Sequence, residues 1–386
     1  MSNRKSGLGA ARLSGTVRAG FAVLSGALTV ALTAAGLGAA SPASAATTAA
    51  VQCGDVVTAN VVLTADLVCS GTGLTIGADN VTVNLAGRTV SGAPAVSVPD
   101  RSGTKLVNGT LTGSQAVVAA GSQLTSPIPL TISRVRLRAA TRLTNTTAVI
   151  GQAPGGCVVT GLRAQDSWVT IDRCEVRESV HLRQSTGTVR ASTLISGSLG
   201  LEHSFRGRYE DNVFDDFSVS VYDLSRDNVF IRNVMKNTDS AFYFSMPQSP
   251  GSTNTIQDND IRNNDIGVES KDVVGLTVKG NRFTGNRTAG VLIDNNLNFY
   301  EIQDWISDNL FTGNGKQPSG VKDRDGNPVR GGIHVRTISA SRINLARNTG
   351  RLNGGHLIWA PAGQVVDGGG NRGPCGPVPN PDLTCS

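Results

Sequence analysis

A short motif built around asparagine recurs through the second half of the chain and constrains its fold more than any other feature. In each copy a polar residue or glycine precedes the asparagine, and in most an apolar residue follows within two positions. The copies lie at Asn212, Asn233, Asn259, Asn281, Asn309 and Asn348, with Cys174 and Ser192 at the same place in earlier copies. From Ser192 onward the spacings are 20, 21, 26, 22, 28 and 39 residues. This period predicts a solenoid with one turn per repeat.

Asparagine suits the sharp bend between two strands, because it tolerates left-handed backbone geometry and forms local hydrogen bonds. Asparagines stacked on successive turns can also form an amide ladder. A leucine-rich repeat has a similar period, but its strict leucine framework is absent here.

Short apolar runs between the asparagines predict three β-strands per coil, and one set of strands is the most regular. It comprises 180–183, 199–202, 219–222, 242–245, 266–269, 291–294 and 333–336. Because side chains alternate along a strand, one apolar pair from each faces the interior. The predicted inward pairs are Val180/Leu182, Leu199/Leu201, Val219/Val221, Phe242/Phe244, Ile266/Val268, Val291/Ile293 and Ile333/Val335. We therefore expect an all-β parallel β-helix, whose narrow core of Val, Ile and Leu needs few of the aromatic residues that make up only 4% of the chain.

The N-terminus has the pattern of a secretory signal peptide. A basic region precedes an apolar stretch at 21–37 and the small residues Ala43-Ser44-Ala45. A membrane-anchoring helix is the alternative. Cleavage after Ala45 removes four basic residues and no acidic ones, so the formal charge falls from +6 to +2. We expect residues 46–386 to form one secreted, extracellular domain without a membrane span, and the high pI does not indicate nucleic-acid binding.

Six cysteines form three local pairs, Cys53 with Cys69, Cys157 with Cys174, and Cys375 with Cys385. Fifteen pairings are possible, and we expect the local ones, as disulfides suit the oxidising exterior. No Cys-x-x-Cys spacing supports a metal site instead. The first and last pairs would either close the caps of the solenoid or staple its termini.

Several segments resemble right-handed parallel β-helix proteins of the pectin-lyase-like superfamily, particularly secreted bacterial members. The coils from Leu74 to Asn371 carry the resemblance, with Cys53-Gly-Asp-Val-Val and Val81-Thr-Val-Asn-Leu-Ala-Gly at the start and Asp367-Gly-Gly-Gly-Asn371 at the end. It covers nearly all of 46–386 and implies a single right-handed domain. It does not imply one activity, because the superfamily contains lyases, hydrolases, epimerases and non-catalytic binders.

Three late coils contain insertions, at about 246–252, 295–304 and 313–331. Long loops on a rigid scaffold commonly have a function. Phe299, Tyr300 and Trp305 lie in or beside the second insertion. Aromatic rings there would stack on sugar rings or pack the loop onto the coils.

The outward positions of the regular strands form a polar stripe of two rows. One row is Arg183, Glu202, Tyr222, Ser245, Glu269, Asp294 and Arg336. The other row is His181, Gly200, Ser220, Tyr243, Gly267, Leu292 and His334. Coils lie about 4.8 Å apart, so Glu269, Asp294 and Arg336 should be vertical neighbours, with Lys271 just beyond.

This combination of groups suggests chemistry on an acidic or neutral polysaccharide. In a polysaccharide lyase, Lys271, His334 or Tyr243 would take the proton next to a uronate carboxylate, and Arg336 would neutralise the resulting charge.

Glu269 and Asp294 allow two further interpretations. They could hold Ca²⁺ as the neutralising charge, or act as the paired carboxylates of a glycoside hydrolase. A solvated surface with ion pairs across the rungs is the simplest alternative.

We therefore expect a monomer that acts on or binds a polysaccharide or cell-surface glycan; as an enzyme, it would be a lyase in preference to a hydrolase. The candidate catalytic residues are Glu269, Lys271, Asp294, His334 and Arg336. The candidate substrate-binding residues are Tyr222, Tyr243, Tyr300, Trp305 and Arg330. No dedicated metal site is predicted. A non-catalytic glycan-binding solenoid is the competing hypothesis.

Overall fold

The computed structural model describes residues 50–124, 126–151, 156–245, 253–296, 298, 303–338 and 342–386. These residues belong to one compact unit, Ser44–Ser386. The predicted signal peptide at 1–45, the insertion at 246–252, Phe299 and Tyr300 lie outside the described residues.

The described residues form 36 short strands and no helix. In chain order they are β1 (Asp55–Val57), β2 (Val61–Val62), β3 (Leu67–Val68), β4 (Leu74–Ile76), β5 (Thr82–Asn84), β6 (Thr89–Gly92), β7 (Val96–Pro99), β8 (Thr104–Gly113), β9 (Val117–Ala120), β10 (Ile128–Leu137), β11 (Thr141–Thr144), β12 (Thr146–Gly151), β13 (Val158–Gln165), β14 (Trp168–Asp172), β15 (Glu175–Arg183), β16 (Thr186–Arg190), β17 (Thr193–Glu202), β18 (Arg208–Glu210), β19 (Val213–Tyr222), β20 (Val229–Ile231), β21 (Val234–Lys236), β22 (Ser240–Ser245), β23 (Thr255–Gln257), β24 (Asp260–Arg262), β25 (Ile266–Lys271), β26 (Thr277–Lys279), β27 (Arg282–Thr284), β28 (Ala289–Asn295), β29 (Trp305–Ser307), β30 (Leu310–Thr312), β31 (Gly331–Thr337), β32 (Ile343–Ala346), β33 (Thr349–Arg351), β34 (Ile358–Trp359), β35 (Val365–Asp367) and β36 (Cys375–Gly376).

The strands stack in parallel on three faces of a solenoid of about 13 turns. The stripe face stacks β1, β4, β7, β9, β11, β13, β15, β17, β19, β22, β25, β28, β31, β34 and β36. The second face runs from β2 and β5 to β32 and β35. The third face runs from β3 and β6 to β30 and β33. The prediction of a parallel β-helix is confirmed.

The predicted asparagine ladder exists and runs along one edge of the solenoid. Each side-chain amide donates to the side-chain oxygen of the asparagine one coil further on, at 2.9–3.1 Å. Each oxygen also accepts a backbone N–H from the previous coil, which satisfies buried polar groups at the bend. The ladder comprises Asn212, Asn233, Asn259, Asn281, Asn309, Asn348 and Asn371.

The core is largely aliphatic, as expected, but its middle coils also contain stacked aromatic rings. Tyr209 stacks on Phe230 with ring centroids 4.8 Å apart, and Phe283 stacks on Phe311 at 4.7 Å. All four side chains are fully buried. The interior is therefore wide enough for planar rings where they can stack coil upon coil.

All three predicted disulfides are present, with Cα–Cα distances of 5.5, 4.7 and 6.1 Å along the chain. The first and last lie near the two ends of the described solenoid. None of the described residues forms a helix that is long and apolar enough to cross a membrane.

Candidate functional site

The outward side chains of the stripe face form two columns that run along the solenoid. Column one is Arg142, Arg163, His181, Gly200, Ser220, Tyr243, Glu269, Leu292 and His334. Column two is Thr144, Gln165, Arg183, Glu202, Tyr222, Ser245, Lys271, Asp294 and Arg336.

The predicted position of Glu269 is wrong by one column. Lys271, and not Glu269, lies between Ser245 and Asp294, while Glu269 pairs with Tyr243 and Leu292. Gly267, which we expected to face outward, causes the shift. A Cβ atom on Gly267 would lie 2.8 Å from the buried ring of Phe283, so this position faces the interior.

Ile266 accordingly lies outside the main core. From Val268 onward, side chains again alternate between the interior and the surface. Ile266 packs outside the main core in a cluster with Ala289, Leu292 and Val329. Val268, by contrast, is fully buried in the core. Glu269, the residue after Val268, therefore faces outward in column one, and the predicted row of Glu269, Asp294 and Arg336 does not form.

Glu269, Lys271 and Tyr243 form the centre of the candidate site. The Lys271 ammonium donates to Glu269 Oε1 at 2.7 Å and lies 5.7 Å from the centroid of the Tyr243 ring. Ser240 Oγ donates to the other Glu269 oxygen at 2.6 Å. The Glu269 side chain is 12% exposed and that of Lys271 is 35% exposed, so Lys271 is the more open of the two to a ligand on the stripe face.

Lys271 keeps its positive charge in this environment. Burial alone would lower the pKa of Lys271, but the hydrogen bond and charge of Glu269, with Tyr243 and Asp294, raise it above its ordinary value. A lysine held in this state is a poor base and a good partner for a carboxylate. This environment favours a charge-neutralising role for Lys271 over the predicted role as the base.

The inserted segment 313–331 covers the end of the stripe face. Its Arg324 forms a bidentate ion pair with Asp272, and the Arg324 Nε atom lies 3.9 Å from Asp294 Oδ2. Asp325 accepts a hydrogen bond from Arg336 at 2.8 Å. The segment therefore contacts the predicted site directly.

This cover leaves Asp294 nearly inaccessible, with a side chain that is 5% exposed. Burial raises the pKa of Asp294 above its ordinary value, and the charges of Arg324 and Arg336 oppose that rise. Among the described residues, Asp294 Oδ1 has no hydrogen-bond partner.

Two predicted catalytic residues are enclosed by the same segment. His334 is 1% exposed, pairs with Asp323 at 2.9 Å, and stacks on Trp359 with ring centroids 4.2 Å apart. Burial lowers the pKa of His334, and Asp323 partly offsets this effect. Arg336 is 8% exposed and donates to Asn295 O at 2.9 Å. Neither side chain therefore faces the open groove, and the structure does not place either one to contact a substrate there.

The predicted substrate-binding residues separate into two groups. Tyr222 and Tyr243 are neighbours on the stripe face, with ring centroids 6.0 Å apart. Trp305 lies in β29 on the second face, between Thr277 and Asn344, and so does not belong to this site. Arg330 lies in the inserted segment and donates to Gly315 O at 3.1 Å. Tyr300 lies outside the described residues.

The surroundings do not fit a Ca²⁺ ion held by Glu269 and Asp294. These residues lie in different columns, and Glu269 Oε1 is already bound by the Lys271 ammonium. Arg324 and Arg336 flank Asp294. Cations so close to the required oxygen ligands oppose binding of a second cation.

Another group of potential metal ligands lies further along column two. Ligand atoms of Glu202, His203 and Asp223 lie within 4.8 Å of one another. The Glu202 carboxylate already pairs with His181 at 3.4 Å and Arg183 at 3.3 Å. Its charge is therefore shared with these two side chains.

Arg142 and Arg163 are members of the stripe that the sequence analysis missed. They line a groove of about 350 Å³ together with Arg183 and Glu202. The signal was available, because the segments Thr-Arg-Leu-Thr at 141–144 and Leu-Arg-Ala-Gln at 162–165 show the same alternation as the later strands.

Comparisons with known proteins agree with this architecture. A family model described as "Right handed beta helix region" matches residues 161–304. Together with the parallel coils, this match supports a right-handed parallel β-helix fold. No curated protein matches the chain.

Two solved structures show distant similarity. The Dettilon tailspike protein (gp208) is 13% identical over 81% of this chain, with a TM-score of 0.34, and this chain covers 60% of the tailspike. The A-module of the Azotobacter vinelandii mannuronan C-5 epimerase AlgE4 is 14% identical over 85% of this chain and 91% of the module, with a TM-score of 0.36.

Proposed function

We propose that this protein binds an acidic polysaccharide along the stripe face and cleaves it by β-elimination at Tyr243, Glu269 and Lys271. The observation that carries the proposal is this partly exposed cluster of a carboxylate, an ammonium group and a phenol. It lies near one end of a polar face that extends through the preceding coils. Long polymers suit such a face, because successive coils offer contacts at a regular spacing.

Lys271 supplies the charge that this reaction requires. Its ammonium pairs with the carboxylate of a bound uronate and stabilises the negative charge that develops when the neighbouring carbon loses its proton. The raised pKa of Lys271 keeps this group protonated. One of its N–H bonds holds Glu269, and the remaining donors are available to a ligand.

Glu269 and Tyr243 transfer the protons. The Glu269 carboxylate accepts the proton from the carbon next to the uronate carboxylate. The electron pair of that C–H bond forms the new carbon–carbon double bond as the glycosidic carbon–oxygen bond breaks. The Tyr243 hydroxyl then donates a proton to the departing oxygen. These residues are partners on adjacent coils, about 4.8 Å apart, and so can contact one sugar unit.

Asp294 and Arg324 position the cluster. Asp294 is opposite Lys271 in column two, and Arg324 links Asp294 to Asp272. The inserted segment therefore closes the groove one coil beyond the reacting groups.

Secretion belongs to the same proposal. Three disulfides suit an oxidising compartment, where an extracellular polysaccharide would be met. We propose that the protein acts there as a monomer, because one chain supplies the whole cluster.

The experiment is a panel of acidic and neutral polysaccharides, followed by ultraviolet absorbance and a reducing-end assay. A lyase yields new reducing ends together with the absorbance of an unsaturated uronate. New reducing ends without that absorbance would identify a hydrolase and contradict β-elimination. Binding without any product would identify the competing non-catalytic glycan binder.

A further inference from the structure

Arg142 and Arg163 are adjacent on the stripe face, and no residue that the structure describes forms an ion pair with either. Their Cα positions are paired directly across β11 and β13, and both side chains are exposed. Among the described residues, neither forms a salt bridge. By contrast, most ion pairs on this solenoid join residues on neighbouring coils or residues close together on one strand.

Like charges on directly opposed positions destabilise a sheet. Here the repulsion is reinforced, because residues 130–190 contain nine arginines, no lysine and four acidic residues. The next coil adds His181 and Arg183, but Glu202 pairs with both. On the stripe face of this stretch, Arg142 and Arg163 are therefore the arginines that form no ion pair with another described residue.

The surface around the two arginines forms an open groove. The groove of about 350 Å³ passes between these guanidinium groups and the polar side chains of Thr144 and Gln165 in column two. Guanidinium groups match the geometry of carboxylates and donate paired hydrogen bonds to them. The groove is continuous in register with the column that contains Lys271.

We propose that Arg142 and Arg163 form a remote anion-binding subsite for the acidic polysaccharide, which binds parallel to the solenoid axis. Lys271 lies six coils beyond Arg142, or about 29 Å at about 4.8 Å per coil. A polyuronate long enough to span this distance can bind the reacting cluster through one sugar unit and the arginine pair through units further along the polymer. This inference rests on the proposed function, and it adds a length requirement to it.

The test uses the full secreted chain and polyuronate oligomers of two sizes. The short oligomer spans only the coils around Lys271, and the long one exceeds about 29 Å. The variant is R142Q/R163Q. The matched control is R136Q/R138Q, which removes the same charge from nearby exposed positions that line a different groove. Thermal unfolding confirms that both variants are folded.

We expect R142Q/R163Q to weaken the affinity for the long oligomer, measured by calorimetry, by about 10- to 100-fold, because charged hydrogen bonds are lost. Its binding should also become less dependent on salt. R142Q/R163Q should bind the short oligomer as tightly as the unaltered protein does. The control variant should bind both oligomers as tightly as the unaltered protein does. Equal losses in both double variants, or unchanged binding of the long oligomer, would overturn the subsite.

Product formation separates this proposal from the proposed cleavage. If the short oligomer is cleaved but the long one binds no better, the subsite alone fails. If the long oligomer binds through the arginines and no product forms, the cleavage alone fails. Tighter binding of a single-stranded DNA oligonucleotide than of the long polyuronate, lost in R142Q/R163Q, would overturn the assignment to a glycan.

Discussion

At the scale of single residues, Gly267 determines which charged groups meet on the stripe face. Because the ring of Phe283 occupies the space next to it, position 267 must face inward without a side chain. The strand then presents Glu269 to Tyr243 and Lys271 to Asp294. Because Gly267 has no side chain, the strand can adopt the register that brings together the cluster on which the proposed chemistry depends.

Substitution of Gly267 by alanine should disturb this cluster. Its Cβ would lie 2.4 Å from Gly290 O and 2.8 Å from the Phe283 ring, so β25 must shift. We expect a loss of stability of about 1–3 kcal/mol and a loss of polyuronate binding, measured by chemical unfolding and calorimetry. Alanine at Gly71, where a Cβ atom meets nothing within 4 Å, is the control. Unchanged binding by G267A would contradict the role of this residue.

Asp304 makes the stability of the fold depend on pH. It is fully buried at the start of β29, and burial raises its pKa to about 7, although the N–H groups of Leu276 and Gly275 oppose this. Because the native state holds this proton more tightly than the unfolded state, stability falls as the pH rises from about 4 to about 7.

We expect Asp304→Asn to remove that dependence. Above pH 7 the variant should be more stable by about 1–4 kcal/mol, and below pH 4 it should resemble the unaltered protein. Chemical unfolding across this pH range measures the difference. A variant that is equally destabilised at every pH would show that the carboxylate is not the cause.

At the scale of elements, the asparagine ladder fixes the bend of each coil. Asn259 donates to Asn281 Oδ1 and to Phe230 O, and accepts from the Asn233 backbone. Its removal leaves several buried polar groups without partners, which is costly.

Asn259→Ala should therefore lower the free energy of unfolding by about 2–4 kcal/mol. Gln257→Ala is the matched control, because its side chain lies on the same coil and, among the described residues, its amide donates only to the exposed Asp258. The control should change stability by less than about 0.5 kcal/mol. Similar losses in the two variants would argue against the ladder as a determinant of stability.

The inserted segment 313–331 is held onto the stripe face by alternating charges. Asp323 pairs with His334, Arg324 with Asp272, and Asp325 with Arg336. The pKa of Asp323 is lowered, because His334 and Asn327 outweigh the opposing effect of burial. The Asp323 carboxylate thus stabilises the native state at neutral pH, and this stabilisation is lost as the pH falls through the lowered pKa.

Asp323→Asn should loosen this segment at neutral pH. We expect faster amide hydrogen exchange across 313–331, with little change in the first coils. Asp308→Asn, which breaks a surface pair with Arg347, provides the control. Unaltered exchange in the segment would contradict a role for Asp323 in holding it onto the stripe face.

At the scale of the whole molecule, the repeat allowed the architecture to be predicted from the sequence. The positions of the side chains at the candidate site were harder to predict. Parallel coils, inward pairs and local disulfides follow from spacing and alternation, which act within one or two coils. The position of Glu269 depends on Phe283, a residue of the next coil, so alternation within one strand could not show it. The burial of His334 and Arg336 depends on how a long insertion folds back, which no repeat specifies.

The central claim is that an acidic polysaccharide is cleaved at the cluster around Lys271. The most direct measurement is the absorbance of unsaturated uronate produced from a polyuronate by three proteins: the unaltered chain, Lys271→Gln and Lys236→Gln. Lys236 pairs with Asp215 on the third face and serves as the control. We predict that the unaltered protein and the control form the product, and that Lys271→Gln slows its formation by about 100-fold or more. Equal rates in all three proteins, or no product from any of them, would contradict the account.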